Sequence, residues 1–475
     1  MLVAGVDSST QSTKVVLCQA EDGAVVAEGS APHPPGTETD PQAWWTALQE
    51  AGAGLLDRAD AVGVAAQQHG MIALDDAGDV VRPALLWNDL RSADAAAELV
   101  AELGGPGWWA RHTGSVPTAS FTVTKLRWLA RHEPANAART ASVLLPHDWL
   151  TWRLRRVADR SLPVAAATTD RGDASGTGYF APEAGDWLPD VAATALGHPV
   201  GLPRVATPDA VVGRTASGAA LSAGTGDNMG AALGLPLEAG DVVVSIGTSG
   251  TAFAVSSQPA CDATGAVAGF ADATGRYLPL VCTINAAGVL TAVARLLGCS
   301  LAELSALALS AQPGAGGLTL LPYLDGERTP DRPRAHGVLA GLSSSNASRD
   351  NLARAAVEAL LASLASAAAM LSHQGVQCRR VLLIGGGSRS DAVRELAPGI
   401  LGTPVLAPEP AEYVALGAAR QAAWALAGTP EPPHWFPAQP PAEYTGEPAP
   451  EILQRHRSLR DETAGWDNDA AWSAS

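Results

Sequence analysis

The residue best placed to do chemistry is a carboxylate in a glycine-rich turn, Gly224-Thr225-Gly226-Asp227-Asn228. Glycines beside Asp227 let the backbone approach a ligand closely, and Asn228 tolerates left-handed geometry. Shortly after it an apolar strand, 242–246, ends in the small-residue turn Gly247-Thr248-Ser249-Gly250 and returns as a second strand. The same unit opens the chain, with a strand at 2–6, the turn Asp7-Ser8-Ser9-Thr10-Gln11-Ser12 and a strand at 13–19. Thr10 and Thr248 hold equivalent places in two copies half a chain apart. Backbone N–H groups in such turns converge on phosphate oxygens, and the hydroxyls of Thr10, Ser12 and Thr248 add donors. One copy alone reads as an ordinary hairpin turn, since turns favour these residues anyway. The recurrence points to a duplicated unit clasping a polyphosphate.

Asp7 ends the first strand, directly before its phosphate turn. A carboxylate there repels phosphate unless a divalent cation lies between them, which is how Mg2+ is usually held. Lys14, at the start of the returning strand, could neutralise phosphate. Asp227, ahead of the second turn, has the character required of a general base for an alcohol acceptor. Gln68 and His69 follow an apolar strand at 61–66, and their amide and imidazole suit a polyhydroxylated ligand because both donate and accept. Trp87-Asn88-Asp89 and Asp170 through Asp173 are weaker candidates of the same type. Gly385-Gly386-Gly387-Ser388 precedes a helix, where a phosphate or adenosine could sit. Each of these residues also has a bland reading, as a turn former, an edge charge or a structural histidine.

The elements that must position them follow from the pattern. Residues 1–30 read as three strands in an antiparallel meander with turns at 7–12 and 21–23. Helices are expected over about 92–103, 125–132, 286–297 and 301–311, and strands at 143–145, 318–321 and 381–384. A long helix over about 349–374 follows a Ser348 cap and keeps a helical apolar period. A further helix covers roughly 413–427. Residues 182–210, rich in Pro and Gly, read as irregular connection, and the last dozen residues as poorly ordered. Alternating strands and helices argue for an α/β layer structure.

A chain of 475 residues is too long for one core, at roughly 150 residues per domain. A net charge of −17 argues against nucleic acid or an anionic membrane as partner, though a local phosphate site can invert the global sign. Cys18, Cys261, Cys282, Cys299 and Cys378 form no C-x-x-C pair, as expected of scattered reduced thiols. The first residues lack the basic segment of a signal peptide, and no unbroken apolar run reaches the about 18–20 residues that span a bilayer. A cytoplasmic protein is expected. No Walker A pattern occurs in the chain.

The motifs, taken in order, resemble those of the FGGY carbohydrate kinases in the actin/Hsp70-like ATPase superfamily. They are AGVDSSTQSTK at 4–14, QQHG at 67–70, LLWND at 85–89, FTVTKLRWL at 121–129 and LLPHDWL at 144–150. GTGDN at 224–228, SIGTSGT at 245–251, LPYLDGERTP at 321–330, LIGGGSRS at 383–390 and ALGAAR at 415–420 complete the series. The resemblance implies two α/β, ribonuclease H-like domains of the actin/Hsp70 type around a central cleft. Residues 1–235 would carry the sugar and the first phosphate turn, and 236–475 the ATP. It implies Asp227 as the catalytic base, Asp7 at the metal–phosphate site, and Gln68, His69 and Asn228 on the sugar. Thr10 and Thr248 match the phosphate-turn threonines, with Lys14 beside the first. Gly386, Gly387 and Ser390 match the adenosine side. Gln68 stands where many members carry Met, Ser9 where many carry Gly, and Ser390 where some carry an amide.

Within the family the sugar-side pattern is most similar to the branch acting on D-xylulose. ATP-dependent, Mg2+-assisted phosphorylation of D-xylulose to D-xylulose 5-phosphate is therefore expected. Another ketose or polyol (ribulose, fuculose, gluconate or glycerol) is the alternative acceptor. An actin- or Hsp70-like ATP switch is the alternative outside this class, but a sugar-side loop together with Asp227 counts against it. A homodimer is compatible with the sequence.

Overall fold

Small and β-branched residues make the first strand, Leu2–Ser8, buried on both faces, which is how a central strand under helices reads. It pairs antiparallel with Ser12–Gln19, which pairs antiparallel with Val25–Pro32. On its other side it runs parallel to Ala61–Ala66. The computed structural model describes residues 1–475 except 236, 238, 239, 437, 438 and 467–475. These residues form two compact units. The first comprises 1–237, 255–278 and 411–438, and the second 238–254, 279–410 and 439–475.

The first unit is built on a sheet in the order Val211–Arg214, Ala220–Ser222, Ala61–Ala66, Leu2–Ser8, Ser12–Gln19, Val25–Pro32. The short strand Thr225–Gly226 also pairs with the end of Ala61–Ala66. Helix Pro41–Ala51, capped by Asp40 through the Gln42 N–H, covers one face with Trp44, Trp45 and Leu48. The other face is covered by Tyr413–Ala427, a helix from late in the chain whose alanines pack with Val3, Val16 and Cys18. Its approach is very close. A Cβ on Gly5 would lie 1.8 Å from the Ala415 carbonyl oxygen, and one on Gly417 would lie 1.8 Å from that of Gly230. No residue but glycine fits these two positions.

The second unit repeats the plan. Asp241–Ile246 is antiparallel to Gly250–Ala254 and parallel to Arg380–Ile384. Arg380–Ile384 runs parallel to Val405–Ala407. The turns at residues 9–11 and 247–249 thus join equivalent hairpins, each flanked by a parallel strand. That is the duplication expected from the two sequence copies. The long helix Arg349–His373 starts from Ser348, which caps the Asn351 N–H. It is long and apolar enough to cross a membrane, yet Ala353, Val357, Leu360, Leu361, Leu364 and Leu371 are buried in the unit's core. Inside it Arg354 and Glu358 form a buried ion pair at 2.7 Å, and Glu358 also accepts from the Gly314 N–H.

The expected elements form with ends shifted by a few residues, and three regions differ. Residues 182–210 contain a helix, Pro189–Leu196, which begins at a proline and ends at left-handed Gly197. The helix expected after the glycine triplet, Asp391–Leu401, runs on through Pro398. In the polar tail, Pro450–Glu462 forms a helix that buries Ile452, His456 and Leu459. The end of the expected unordered stretch, 467–475, lies outside the described residues.

Candidate active site

Three strand ends bring the first unit's candidates together. Ala65 pairs with Asp7 on one side and with Thr225 on the other. Its own strand runs on into Gln67, Gln68 and His69. Asp7, the Gln68-His69 turn and the Thr225–Asp227 loop therefore leave the sheet at one edge, the carboxyl ends of parallel strands, where α/β sheets hold ligands.

Asp227 opens the helix Asp227–Gly234. The backbone N–H of Asn228 donates to its Oδ1 at 2.8 Å and the Asn228 Nδ2 at 3.0 Å. The same Nδ2 donates to Gln68 Oε1 at 3.2 Å. Asn228 thus ties the carboxylate to the amide turn. Gln68 Nε2 is buried and makes no hydrogen bond within the protein, a cost that a bound hydroxyl would remove. Burial pushes the Asp227 carboxyl up to about 7, and the negative charges of Asp7 and Asp173 add to it. Burial also raises Asp7, to about 6, against the opposing effects of the Ser9 hydroxyl hydrogen bond and the Lys14 charge.

The glycines around Asp227 have a different reason from close ligand approach. A Cβ on Gly224, whose φ is +80°, would lie 2.4 Å from His147 Cδ2. One on Gly226 would lie 2.8 Å from Gln68 Cγ. The loop is small because protein side chains crowd it. From below, Gln421 on the helix Tyr413–Ala427 accepts from the Gly224 N–H and the Ser222 hydroxyl, both at 2.9 Å, and donates to the Gly224 carbonyl at 3.0 Å. Nothing local in the sequence links Asp227 to Gln421 or to His147, although His147 lies in the motif at 144–150.

His147 is fully buried among carboxylates. Its Nδ1 lies 2.6 Å from Asp173 Oδ2 and its Nε2 3.2 Å from Asp148 Oδ1. Although burial opposes it, the charges of Asp148, Asp173 and Asp170 hold the imidazolium well above its ordinary range. Asp170 caps the short helix Arg171–Ala174 and accepts from the Thr225 hydroxyl at 3.2 Å. Asp170 and Asp173 therefore support the Asp227 loop from beneath.

His69 has a φ of +67°, which costs an L-residue on the order of 1–2 kcal/mol. Its Nδ1 lies 2.6 Å from the Gly176 carbonyl oxygen, so Nδ1 carries the proton and donates. The ring packs against Phe121 and Phe270, with centroids at 4.8 and 5.8 Å. At the first phosphate turn, Thr10 Oγ1 accepts the Trp87 indole N–H at 2.8 Å. Lys14 Nζ forms an ion pair with Glu412 at 2.6 Å.

In the second unit Thr248 is exposed at the tip of its turn. The turn is held by the Ala286 N–H on the Thr248 carbonyl and the Ala287 N–H on that of Gly247. Glu327 fixes that support, accepting from the Ile284 N–H at 2.6 Å and from Asn285 Nδ2 at 3.0 Å. Of the glycine triplet, a Cβ on Gly387 would lie 2.3 Å from Ile246 Cγ2, while Gly386 faces open space. Gly386 is thus the member whose exposed backbone is free to meet a ligand. Ser390 is the cap of helix Asp391–Leu401, accepting from the Val393 N–H and donating to Ser305.

Models of the FGGY family of carbohydrate kinases match twice, the N-terminal domain over residues 2–235 and the C-terminal domain over 242–426. The xylulose kinase of Streptomyces rubiginosus is 44% identical, the match covering 99% of this chain and 96% of that one. The xylulose kinase of Streptomyces coelicolor is 47% identical over 90% of this chain and 88% of its own. The crystal structure of xylulose kinase from Bifidobacterium adolescentis superposes with a TM-score of 0.89 at 44% identity, over 97% of this chain and 99% of that one. Plasmodium falciparum glycerol kinase with ADP, at 17% identity and a TM-score of 0.85 over 98% of each chain, shares the fold.

Proposed function

Because this chain belongs to the FGGY family of carbohydrate kinases, we propose that it transfers the γ-phosphoryl group of ATP to the C5 hydroxyl of D-xylulose, giving D-xylulose 5-phosphate. The observation that carries this reading is the chain Asp227–Asn228–Gln68, in which one amide orients the carboxylate and contacts a glutamine whose Nε2 is buried and unmatched. Asn228 occupies Oδ1 twice, which leaves Oδ2 as the oxygen to take the hydroxyl proton. Gln68 and His69 hold the sugar. Relatives named as xylulose kinases over nearly the whole chain support this acceptor.

Asp227 serves as the base with its carboxyl raised to about 7, which suits proton removal near neutral pH. Asp7 is the ligand expected for Mg2+. Among the described residues no group of three or more Asp, Glu, His or Cys side chains is arranged to hold a metal ion. One buried carboxylate fits an ion that keeps its waters and is otherwise held by phosphate oxygens. When bound, Mg2+ supplies charge neutralisation for the phosphates. Thr10 and Lys14 serve the first phosphate turn and Thr248 the second. Gly386, Gly387 and Ser390 serve the nucleotide, Gly386 through its exposed backbone and Ser390 by capping the helix behind it. The remaining catalysis is positioning. The protein acts in the cytoplasm, where ATP is supplied.

A coupled ADP-release assay over a panel of D-xylulose, D-ribulose, L-fuculose, gluconate and glycerol tests this. D-xylulose should raise ADP release furthest above the water background. A larger rise with another acceptor would reassign the substrate, and no rise with any would remove the kinase reading of the site.

A further inference from the structure

Lys125 is fully buried, and the mechanism above does not use it. Its Nζ donates to two neutral backbone oxygens, that of Ser120 and, at 3.2 Å, that of His69. Removing an ammonium from water costs several kcal/mol, and a methionine would fill the same space without that cost. Desolvation shows in the amine itself, pushed down to about 7 although the Asp89 charge opposes the shift. A lysine in this place calls for a reason beyond packing.

His69 supplies it. Its left-handed backbone is rare for a residue with a side chain, so the conformation must be held from outside. The His69 carbonyl accepts a second hydrogen bond, from the Thr122 hydroxyl at 3.2 Å. Thr122 and Lys125 lie three residues apart in the first turn of helix Thr122–His132 and so share a face. Between them Val123 donates its N–H to the Thr177 carbonyl at 2.8 Å. Thr177 adjoins Gly176, whose carbonyl fixes the His69 ring. One helical turn therefore secures both the backbone of His69 and the segment that orients its imidazole.

We propose that Lys125, with Thr122, is a positioning residue for sugar binding, clamping the His69 carbonyl so that the imidazole is presented to the sugar. The proposal rests on the reading above that His69 contacts the sugar. Neither side chain need touch the sugar itself.

The test uses the full-length chain and the variants Lys125→Met, Thr122→Val and Thr122→Ser. Thermal melts establish folding, and ADP release gives KM for D-xylulose and for ATP. Carbonyl 13C labelling of histidine, with His69 assigned by its substitution, reports the clamp without any sugar. Lys125→Met should raise KM for D-xylulose about tenfold, the scale of a lost charge-assisted hydrogen bond, and leave KM for ATP unchanged. Thr122→Val should raise it less, Thr122→Ser should restore it, and the His69 carbonyl resonance should move in the first two variants alone. If Lys125→Met does not fold, the Thr122 pair decides. Unchanged sugar KM and an unmoved resonance in folded variants would overturn the clamp, as would an equal rise in the KM for ATP. If the wild-type chain ignores D-xylulose while the resonance moves as described, the substrate reading fails and the clamp on His69 stands.

Discussion

Asp7 and Thr225 face each other across a single residue: Ala65, in the strand between them, pairs with both. Sheet register, rather than any direct bond, sets how far the Asp7 carboxylate stands from the loop that carries Asp227. The two carboxylates are close enough for the charge of one to raise the other.

Replacing Asp227 by alanine should lower kcat by about a thousandfold, the scale of a lost general base. ATP affinity measured by calorimetry should stay within about twofold, since the residue does not hold nucleotide in this scheme. A comparable loss of ATP binding would make Asp227 a metal ligand or a turn residue instead.

The base must be deprotonated to act. With its carboxyl raised to about 7, kcat/KM for the sugar should rise with pH and level off above about 7 as a single ionisation. Asp7→Asn removes one of the charges that raise Asp227. A 13C titration of the ligand-free protein should then place the Asp227 midpoint lower than in the wild type. An unchanged midpoint would show that the Asp7 charge does not reach it, leaving burial and Asp173 to set it.

The same shifts predict how the ligand-free protein responds to pH. Asp7 and Asp227 hold protons more tightly folded than unfolded, at about 6 and 7 against 3.8. Burial moves Asp148 and Asp170 in the same direction. The stability linked to raised groups is complete below about pH 4 and is lost as pH climbs through the folded values. His456, pushed down to about 4, and His33, lowered by burial, oppose this below about 6.5, and Lys125 only above about 7, whereas His147, held above its ordinary range by its carboxylates, adds to the four. The Tm of the ligand-free protein should fall from pH 5.5 to 7.5. A rising Tm would mean that the carboxylates are ionised without cost.

Gly224→Ala adds a Cβ at a φ of +80° and 2.4 Å from His147 Cδ2. It should destabilise the protein by about 2–4 kcal/mol, combining backbone strain with overpacking. Gln421→Leu removes three hydrogen bonds beneath the same loop and should cost a similar about 2–4 kcal/mol. Denaturant titration reads both. The double variant should lose less than the sum, because both act on one loop.

Much of the candidate site was legible because its residues sit at strand ends marked by small residues. Asp7 and Gln68 each close an apolar run, Asp227 sits in a glycine-rich turn, and the two threonine turns repeat. What the sequence hid is the support. His147 lies far in sequence from the Gly224 loop it crowds, and Gln421 is drawn to that loop from farther still. The glycines beside Asp227 read as room for a ligand, whereas His147 and Gln68 account for them. Lys125 lay within a motif, yet no local pattern marks a lysine as buried. The helix Pro450–Glu462 escaped notice because its buried residues, Ile452, His456 and Leu459, are too few to stand out among charges.

The helix Tyr413–Ala427 closes the first unit, although most of the second is encoded before it. During synthesis the sheet that carries Asp7 and Gln68 emerges early, but the helix that seals its face and grips the Asp227 loop leaves the ribosome only after most of the second unit. Until then the Val3, Val16 and Cys18 side of the sheet lacks its cover, and chains released early carry an exposed apolar face prone to aggregation. The order of translation thus withholds the finished first unit until most of the second has been made.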